Sequence, residues 1–340
     1  MKGKKLLVIM LAMLMVLASA TGCAQKPAAE TSTDTADKAK DYEIAVVVKI
    51  VGIPFFNVME EGVKKAAEEY GVNAYVTGPT DADPAQQVKI IEDLIAKEVD
   101  AIVVVPNDAN ALKQVLKKAQ EKGILVLTTE SPGQEGADWD LEMIDNAKFA
   151  QEAVDAAAAA IGGKGQFAMF VGGLSVPLHN TWADYVLSYA KEKYPEMVQV
   201  TDRIPCGEDA DLSHTKTLEL LKAYPDLKAI IGWGSLGPIG AAEALREKGL
   251  VGKVSITGTV VPSQAAQYLE DGSITEGILW NPSDSGYASV YAAKYLLDGN
   301  DVAAGDFEVP NIGKPTIKDK VMIFDATLVI TKDNAKDLGF

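Results

Sequence analysis

From Ile44 to the C-terminus, short β-branched runs alternate with longer stretches in which apolar residues recur every three or four positions. That alternation predicts βαβ units and parallel sheets covered on both faces, because doubly buried strands read as continuous apolar runs while surface helices carry one apolar stripe. Ile44–Ile50 is such a run, broken only by Lys49. The turn Gly52-Ile53-Pro54 follows, then a helix with Phe56, Met59, Val63, Ala66 and Tyr70 on one face and Gly71 as its stop. Val72–Thr77 reads as a second strand. Asp83-Pro84-Ala85-Gln86 then opens a helix with a cap, a proline at the first helical position and a capping-box glutamine. Ala101–Val105, a helix over Ala109–Lys122 and Ile124–Thr128 complete a four-strand half. A Gly/Pro/Asp-rich stretch, Ser131–Asp140, interrupts the rhythm and is the expected crossing to a second half.

The second half repeats the scheme: helices over Ala147–Ile161, Asn180–Tyr194, Leu212–Tyr224 and Ile239–Lys248 alternate with strands over Gln166–Val171, Gln199–Ile204, Leu227–Ile231 and Val254–Thr257. Beyond Pro262 come a further helix, a strand at Thr275–Leu279, a helix over Ser285–Leu297 and two short strands. The economical summary is two doubly wound α/β lobes, with strands that exit into Gly- or Pro-containing loops, where open α/β sheets place their ligands.

The N-terminus departs from this pattern. Lys2, Lys4 and Lys5 precede thirteen apolar residues, Leu6–Ala18, which as a helix would reach about 20 Å against a hydrocarbon core of about 30 Å. That reads as a cleavable signal peptide, residues 1–22, rather than a membrane span. Two cleavage sites compete: Ala18-Ser19-Ala20 fits ordinary secretion, and Ala20-Thr21-Gly22-Cys23 resembles a lipobox whose cysteine receives lipid, where two acyl chains suffice for stable anchoring. Residues 23–41 then form a polar tether without large apolar side chains. The expected location is extracytoplasmic, with the chain held to the bacterial cell membrane by Cys23.

Charge narrows the partners. Without the leader's three lysines, 29 basic residues face 48 acidic ones, for a net charge of −19, a surface unsuited to nucleic acid. With Cys23 lipidated, Cys206 has no partner for an intrachain disulfide, so apolar cores must hold the fold. Two histidines, His179 and His214, are too few for a histidine metal box, and no metal or cofactor is expected. The sequence Gly232-Trp233-Gly234-Ser235-Leu236-Gly237 has dinucleotide-site spacing. The next strand, however, ends in Gly258-Thr259-Val260-Val261 without an acid for a ribose hydroxyl, and a Trp crowds the second position. An enzyme with a dinucleotide at 232–237 is therefore the lesser reading.

Sugar chemistry suits the strand ends better. Aromatic faces stack on C–H surfaces while carboxylates, amides and lysine bond hydroxyls. Candidate ligand residues are Lys49 with Phe55 and Phe56, Asn107 and Asp108, Glu130, His179 and Asn180, Trp233 and Ser235, and Trp280 with Asp284. Each also has a structural reading: Phe56 as a core staple, Asn107 as a helix cap, Asp284 as the cap of the helix at Ser285. Lys49 is the least bland, because a charge inside an apolar strand needs a partner, and Glu130 is available.

The segments Val46-Val47-Val48-Lys49 with Phe55-Phe56, Thr77-Gly78-Pro79-Thr80, Pro106-Asn107-Asp108-Ala109-Asn110-Ala111-Leu112 and Trp280-Asn281-Pro282 with Asp284-Ser285-Gly286-Tyr287 resemble type I periplasmic binding proteins of the ribose class, in particular the rhamnose-binding branch. Tyr224-Pro225-Asp226-Leu227 and Pro310-Asn311-Ile312-Gly313-Lys314 are similar to the autoinducer-2 type. The resemblance implies lobes of discontinuous segments, 42–129 with 259–300 and 130–258 with 301–340, joined by a three-segment hinge. It implies a monomeric receptor that closes on a small sugar or polyol and delivers it to an ABC permease, with autoinducer-2 binding or signalling to a membrane receptor as alternatives. Against the autoinducer-2 pattern Lys49 matches, Glu130 replaces an Asp, Leu178-His179 replaces an Asp-Gln pair, and Trp233 and Ser235 replace a Pro and an Ala. A deoxyhexose-like sugar is the preferred ligand.

Overall fold

The computed structural model describes residues 41–340; the signal segment, Cys23 and most of the tether lie outside the described residues. The chain begins with β1 (Glu43–Val47), α1 (Pro54–Tyr70), β2 (Asn73–Thr77), α2 (Pro84–Ala96), β3 (Ala101–Val104), α3 (Ala109–Glu121), β4 (Leu125–Thr129) and β5 (Trp139–Glu142). It continues through α4 (Asn146–Ile161), β6 (Lys164–Val171), α5 (Pro177–Lys193), β7 (Glu196–Gln199), β8 (Ile204–Pro205), α6 (Ala210–Ala223), β9 (Leu227–Gly232), α7 (Gly237–Lys248), β10 (Ser255–Thr259), α8 (Pro262–Glu270) and β11 (Glu276–Leu279). It ends with α9 (Pro282–Leu297), β12 (Thr316–Lys318), β13 (Val321–Ile323) and β14 (Leu328–Ile330).

Two sheets result, with strand orders β12-β13-β5-β4-β3-β1-β2 and β14-β11-β10-β9-β6-β7, β8 pairing with β6. The expected pair of α/β lobes is thus observed, but the segments divide differently. The stretch Ser131–Asp140 does not leave the first lobe. It turns back so that β5 adds beside β4, Asp138 Oδ2 accepting from the Val126 amide at 2.9 Å to fix the return. β10 and β11 belong to the second sheet, and the terminal hairpin β12–β13 belongs to the first. The crossings between sheets therefore fall after Glu142, after Leu279 and after Ile323, rather than at 130, 259 and 301. The first and third run side by side, with the Phe324 amide donating to Glu142 O at 2.8 Å and the Ala326 amide to Met143 O at 3.0 Å. The expected strand Gln199–Ile204 is split into β7 and β8 around a polar bend.

Why does α9 return to the first lobe? Its Gly286 sits where a Cβ would lie 2.2 Å from Met59 O of α1, and at Gly62 of α1 a Cβ would lie 1.8 Å from Ser283 O. The two backbones touch through missing side chains, which locks α9 onto α1. The core of this lobe then has two faces: Ile91, Leu94, Leu112 and Leu116 from α2 and α3 pack on one side of the sheet, and Phe56, Met59 and Val63 on the other. No helix among the described residues is long and apolar enough to cross a membrane.

Beside the first crossing lie two buried acids. Asp140 and Glu142 share one face of β5, and Asp140 Oδ2 and Glu142 Oε1 are both buried without a hydrogen-bond partner, surroundings that disfavour two negative charges. Burial raises Asp140 to about 6, and burial with repulsion from Asp140 raises Glu142 well above its ordinary range. Thr128 and the Ser131 amide donate to Asp140, and Asn146 to Glu142. A carboxyl raised on folding lends stability that is complete below its unfolded pKa near 4 and is lost as pH rises through about 6 and beyond. Glu142→Gln supplies a permanent donor to Asp140, so thermal unfolding of this variant is expected to show a higher Tm than the unaltered protein at pH 8, by roughly 2 °C or more, and no gain at pH 4. A second expectation concerns the helix contact: Gly62→Ala forces backbone apart and should cost about 2–3 kcal/mol in denaturant unfolding, whereas alanine at Gly71, where a Cβ meets nothing within 4 Å, should cost only the strain of its left-handed backbone.

Candidate functional site

Between the lobes lies a cavity bounded by Lys49, Phe55, Phe56 and Glu130 from the first and His179, Trp182, Glu208, Gly234, Ser235, Thr259, Leu279 and Trp280 from the second. Each stands at or just beyond the carboxyl end of a strand: Lys49 after β1, Glu130 after β4, His179 and Trp182 at the start of α5, Glu208 after β8, Thr259 ending β10. Parallel strands all point this way, so one topology delivers residues distant in sequence to one place.

Lys49 is buried, and Gln87 and Asn107 hold its backbone. The fully buried Gln87 amide donates to Val48 O at 3.1 Å and Val105 O at 2.8 Å and accepts from the Asn107 amide at 2.9 Å, while Asn107 Nδ2 donates to Lys49 O at 2.8 Å. These bonds take over where the β1–β3 ladder ends. The Lys49 ammonium meets Glu130 Oε2 at 2.9 Å and Glu208 Oε1 at 3.5 Å. Burial disfavours its charge, but the two carboxylates outweigh that cost and hold its pKa above the ordinary lysine value. Burial raises Glu130, opposed by Lys49. Glu130 itself adopts φ 62°, a left-handed conformation uncommon for a non-glycine residue.

His179 Nδ1 accepts from the Gly172 amide at 2.9 Å. Burial and the nearby Lys49 charge hold its pKa well below the usual histidine value, so the ring is neutral and carries its proton on Nε2. That N–H faces Lys49 at 3.4 Å, two donors looking into the same space. Trp182 stacks on His179 with ring centroids 5.5 Å apart and donates to Asn146 at 2.8 Å. Phe55 stands edge-on to Trp280 at 5.7 Å. Trp280 Nε1, Ser235 Oγ and Thr259 Oγ1 are buried without a hydrogen-bond partner, whereas buried polar groups are ordinarily paired.

Of the residues expected at a site, Lys49, Phe55, Phe56, Glu130, His179, Ser235 and Trp280 line this cavity. The others do not. Trp233 is fully buried behind Trp182, 5.2 Å away, and Phe149, where it backs the wall. Asp108, not Asn107, caps α3, and Asn281, not Asp284, caps α9. Asn180 turns to its own loop, bonding Gly173 O and Val176 O and accepting from Arg203. Trp182, Glu208, Thr259 and Leu279 complete the lining beyond the residues expected from sequence. For Glu208 no signal was available, since it opens an acidic run before a helix and reads as a solvated cap.

The dinucleotide spacing at 232–237 is otherwise engaged. The Gly207 carbonyl accepts from the Leu236 amide at 3.2 Å and the Gly237 amide at 2.9 Å, and a Cβ on Gly234 would lie 2.4 Å from that oxygen. The amides that would hold a pyrophosphate are spent on protein. Cys206, beside this turn, is buried, which pushes its thiol up to about 12. Among the described residues no group of three or more His, Cys, Asp and Glu is placed to hold a metal ion.

Gln87 makes a measurable claim. Gln87→Ala strands three buried backbone groups and should cost roughly 3 kcal/mol in denaturant unfolding, whereas Gln86→Ala, on the exposed turn of the same helix, should cost under about 1 kcal/mol.

Comparison with known proteins follows the geometry. A family model described as a periplasmic binding protein domain matches residues 44–301. The ribose import binding protein RbsB of Bacillus subtilis is 24% identical over 289 residues, 83% of this chain and 90% of its own. LsrB of Clostridium saccharobutylicum in complex with AI-2 superposes with a TM-score of 0.81 at 26% identity, covering 88% of this chain and all of that one. A solute binding protein of an ABC transporter from Clostridium phytofermentas with bound L-rhamnose gives 0.80 at 27% identity, covering 87% and 97%.

Proposed function

The chain belongs to the periplasmic binding protein family, and from that premise we propose that it is the extracytoplasmic receptor of an ABC importer, binding a small neutral sugar of deoxyhexose type between its lobes. The observation that carries this reading is the cavity itself: aromatic walls from Phe55, Phe56, Trp182 and Trp280, with buried, unpartnered hydroxyl and indole groups at Ser235, Thr259 and Trp280. A sugar hydroxyl satisfies each of those groups, a methyl in place of one hydroxyl lies against the aromatic edge, and Lys49 and His179 both donate to a sugar oxygen. The cavity as it stands admits little more than a water molecule, so a sugar enters an opened form and the lobes close over it about the three crossings.

Charge excludes some solutes. With His179 neutral, Lys49 is flanked by two carboxylates, and a sugar acid would add a third negative group to a buried site. A furanosyl polyol of autoinducer-2 type is the second reading. It lost a carboxylate partner at Leu178-His179, but Glu208, arriving from another loop, offers one. Monomeric delivery to a membrane permease, with Cys23 lipid holding the receptor nearby, completes the proposal. Loss of solute uptake on deletion of the gene would separate transport from sensing.

In thermal shift, millimolar L-rhamnose is expected to raise Tm by several degrees, with D-glucuronate giving no shift. Lys49→Ala should weaken binding at least 100-fold, and Trp280→Ala about tenfold, in calorimetric titration. Absence of any shift with L-rhamnose, D-ribose, D-allose and autoinducer-2 would sink the reading.

A further inference from the structure

A left-handed backbone is disfavoured at any residue other than glycine, and where such a residue is buried its surroundings must hold it. Five non-glycine residues among those described adopt positive φ: Glu98, Glu130, Asn311, Asp319 and Lys320. Four of them stand exposed in turns. Glu130 alone is buried, and its carboxylate is the one that meets the Lys49 ammonium at 2.9 Å. Asp140 holds it from behind. One oxygen, Oδ1, accepts from the Thr128 hydroxyl at 2.6 Å and from the Ser131 amide at 3.3 Å, so the residues on either side of Thr129-Glu130 are tied to a single atom. Asp140 is itself a fixed post: Thr128 is its direct partner across β4 and β5, and on the other flank its amide donates to Lys320 O at 3.0 Å. Its second oxygen is buried without a partner. An acid with an idle buried oxygen is costly, and an apolar side chain would fill the same place between the strands without that cost, so stability does not account for Asp140.

We propose that Asp140 is a positioning residue of the solute site: by tying Thr128 to Ser131 it holds Glu130 in the left-handed turn from which its carboxylate reaches Lys49. Neither Asp140 nor Thr128 lines the cavity, so the effect on solute passes through Glu130. Every contact in this chain, from β5 through β4 to the lysine after β1, lies within the first lobe and is indifferent to how the two lobes stand. The proposal rests on the reading that solute occupies the interlobe cavity, but the placing of Glu130 against Lys49 belongs to one lobe and can be measured without any sugar.

A double-mutant cycle in denaturant unfolding, Glu130→Gln against Lys49→Met, measures the coupling between the two charges. Repeated in an Asp140→Ala background, the cycle is expected to lose about two-thirds or more of that coupling, whereas Asp140→Asn, which keeps the accepting oxygen, retains most of it. A merely structural Asp140 would lower the stability of all four members of the cycle alike and leave the coupling as it was. If Asp140→Ala does not fold, Thr128→Val removes the shorter of the two bonds and should lose about a third of the coupling or more. A coupling absent from the unaltered chain, or undiminished in the folded Asp140→Ala or Thr128→Val background, overturns the proposal. In calorimetric titration with L-rhamnose, Asp140→Ala should weaken binding about tenfold or more and Asp140→Asn less than about threefold. An affinity unchanged by Asp140→Ala overturns the proposal as well. Failure of the unaltered chain to bind L-rhamnose bears on the functional reading alone, and the coupling still decides the role of Asp140.

Discussion

A buried ammonium must be neutralised, and the cleft is organised around that requirement. Lys49 sits at the end of an apolar parallel strand where water cannot solvate it, so the fold brings Glu130 to it from the same lobe and Glu208 from the other. Glu130 accepts a left-handed backbone to do so. Gln87, sealed within the first lobe, fixes the carbonyls on either side and with Asn107 sets the height of Lys49 above the sheet. The two partners differ in kind: the tight intralobe bond belongs to one rigid body, and the loose interlobe pair depends on how the bodies stand.

Polar contacts continue from this centre into the hinge. Trp182, a wall of the cavity, donates to Asn146, which donates to Glu142, which lies on the same face of β5 as Asp140. The path runs from the second lobe through the first crossing to the sheet of the first. Rotation about the crossings must preserve or break these bonds together, so the acids beside the hinge and the aromatic wall are mechanically one assembly.

The layered α/β architecture was legible because parallel strands and amphipathic helices leave distinct periodicities, and Lys49 stood out because charge in an apolar run has a cost. What escaped was tertiary. β5 reads Trp-Asp-Leu-Glu, with no β-branched residue and two acids, and its first half falls in the stretch expected to cross between lobes; only its neighbours on both sides make it a strand. The lobe boundaries shifted because β10 and β11 carry no mark of which sheet they join. Glu208 is chemically ordinary in sequence and becomes significant only where the loop after β8 meets the loop after β1. Trp233, conspicuous in sequence, proved to be internal packing.

The closing residues of the chain carry a consequence for how it is made. β13 covers the flank of β5 in one sheet and β14 covers the flank of β11 in the other, while α9 is bolted to α1 some 220 residues earlier through glycine contacts. Neither lobe is complete without residues 282–330. Without them both sheets expose unpaired backbone along one side, which invites pairing with another chain. Maturation is therefore a late, concerted event of high contact order, in which the two halves become complete together rather than in succession.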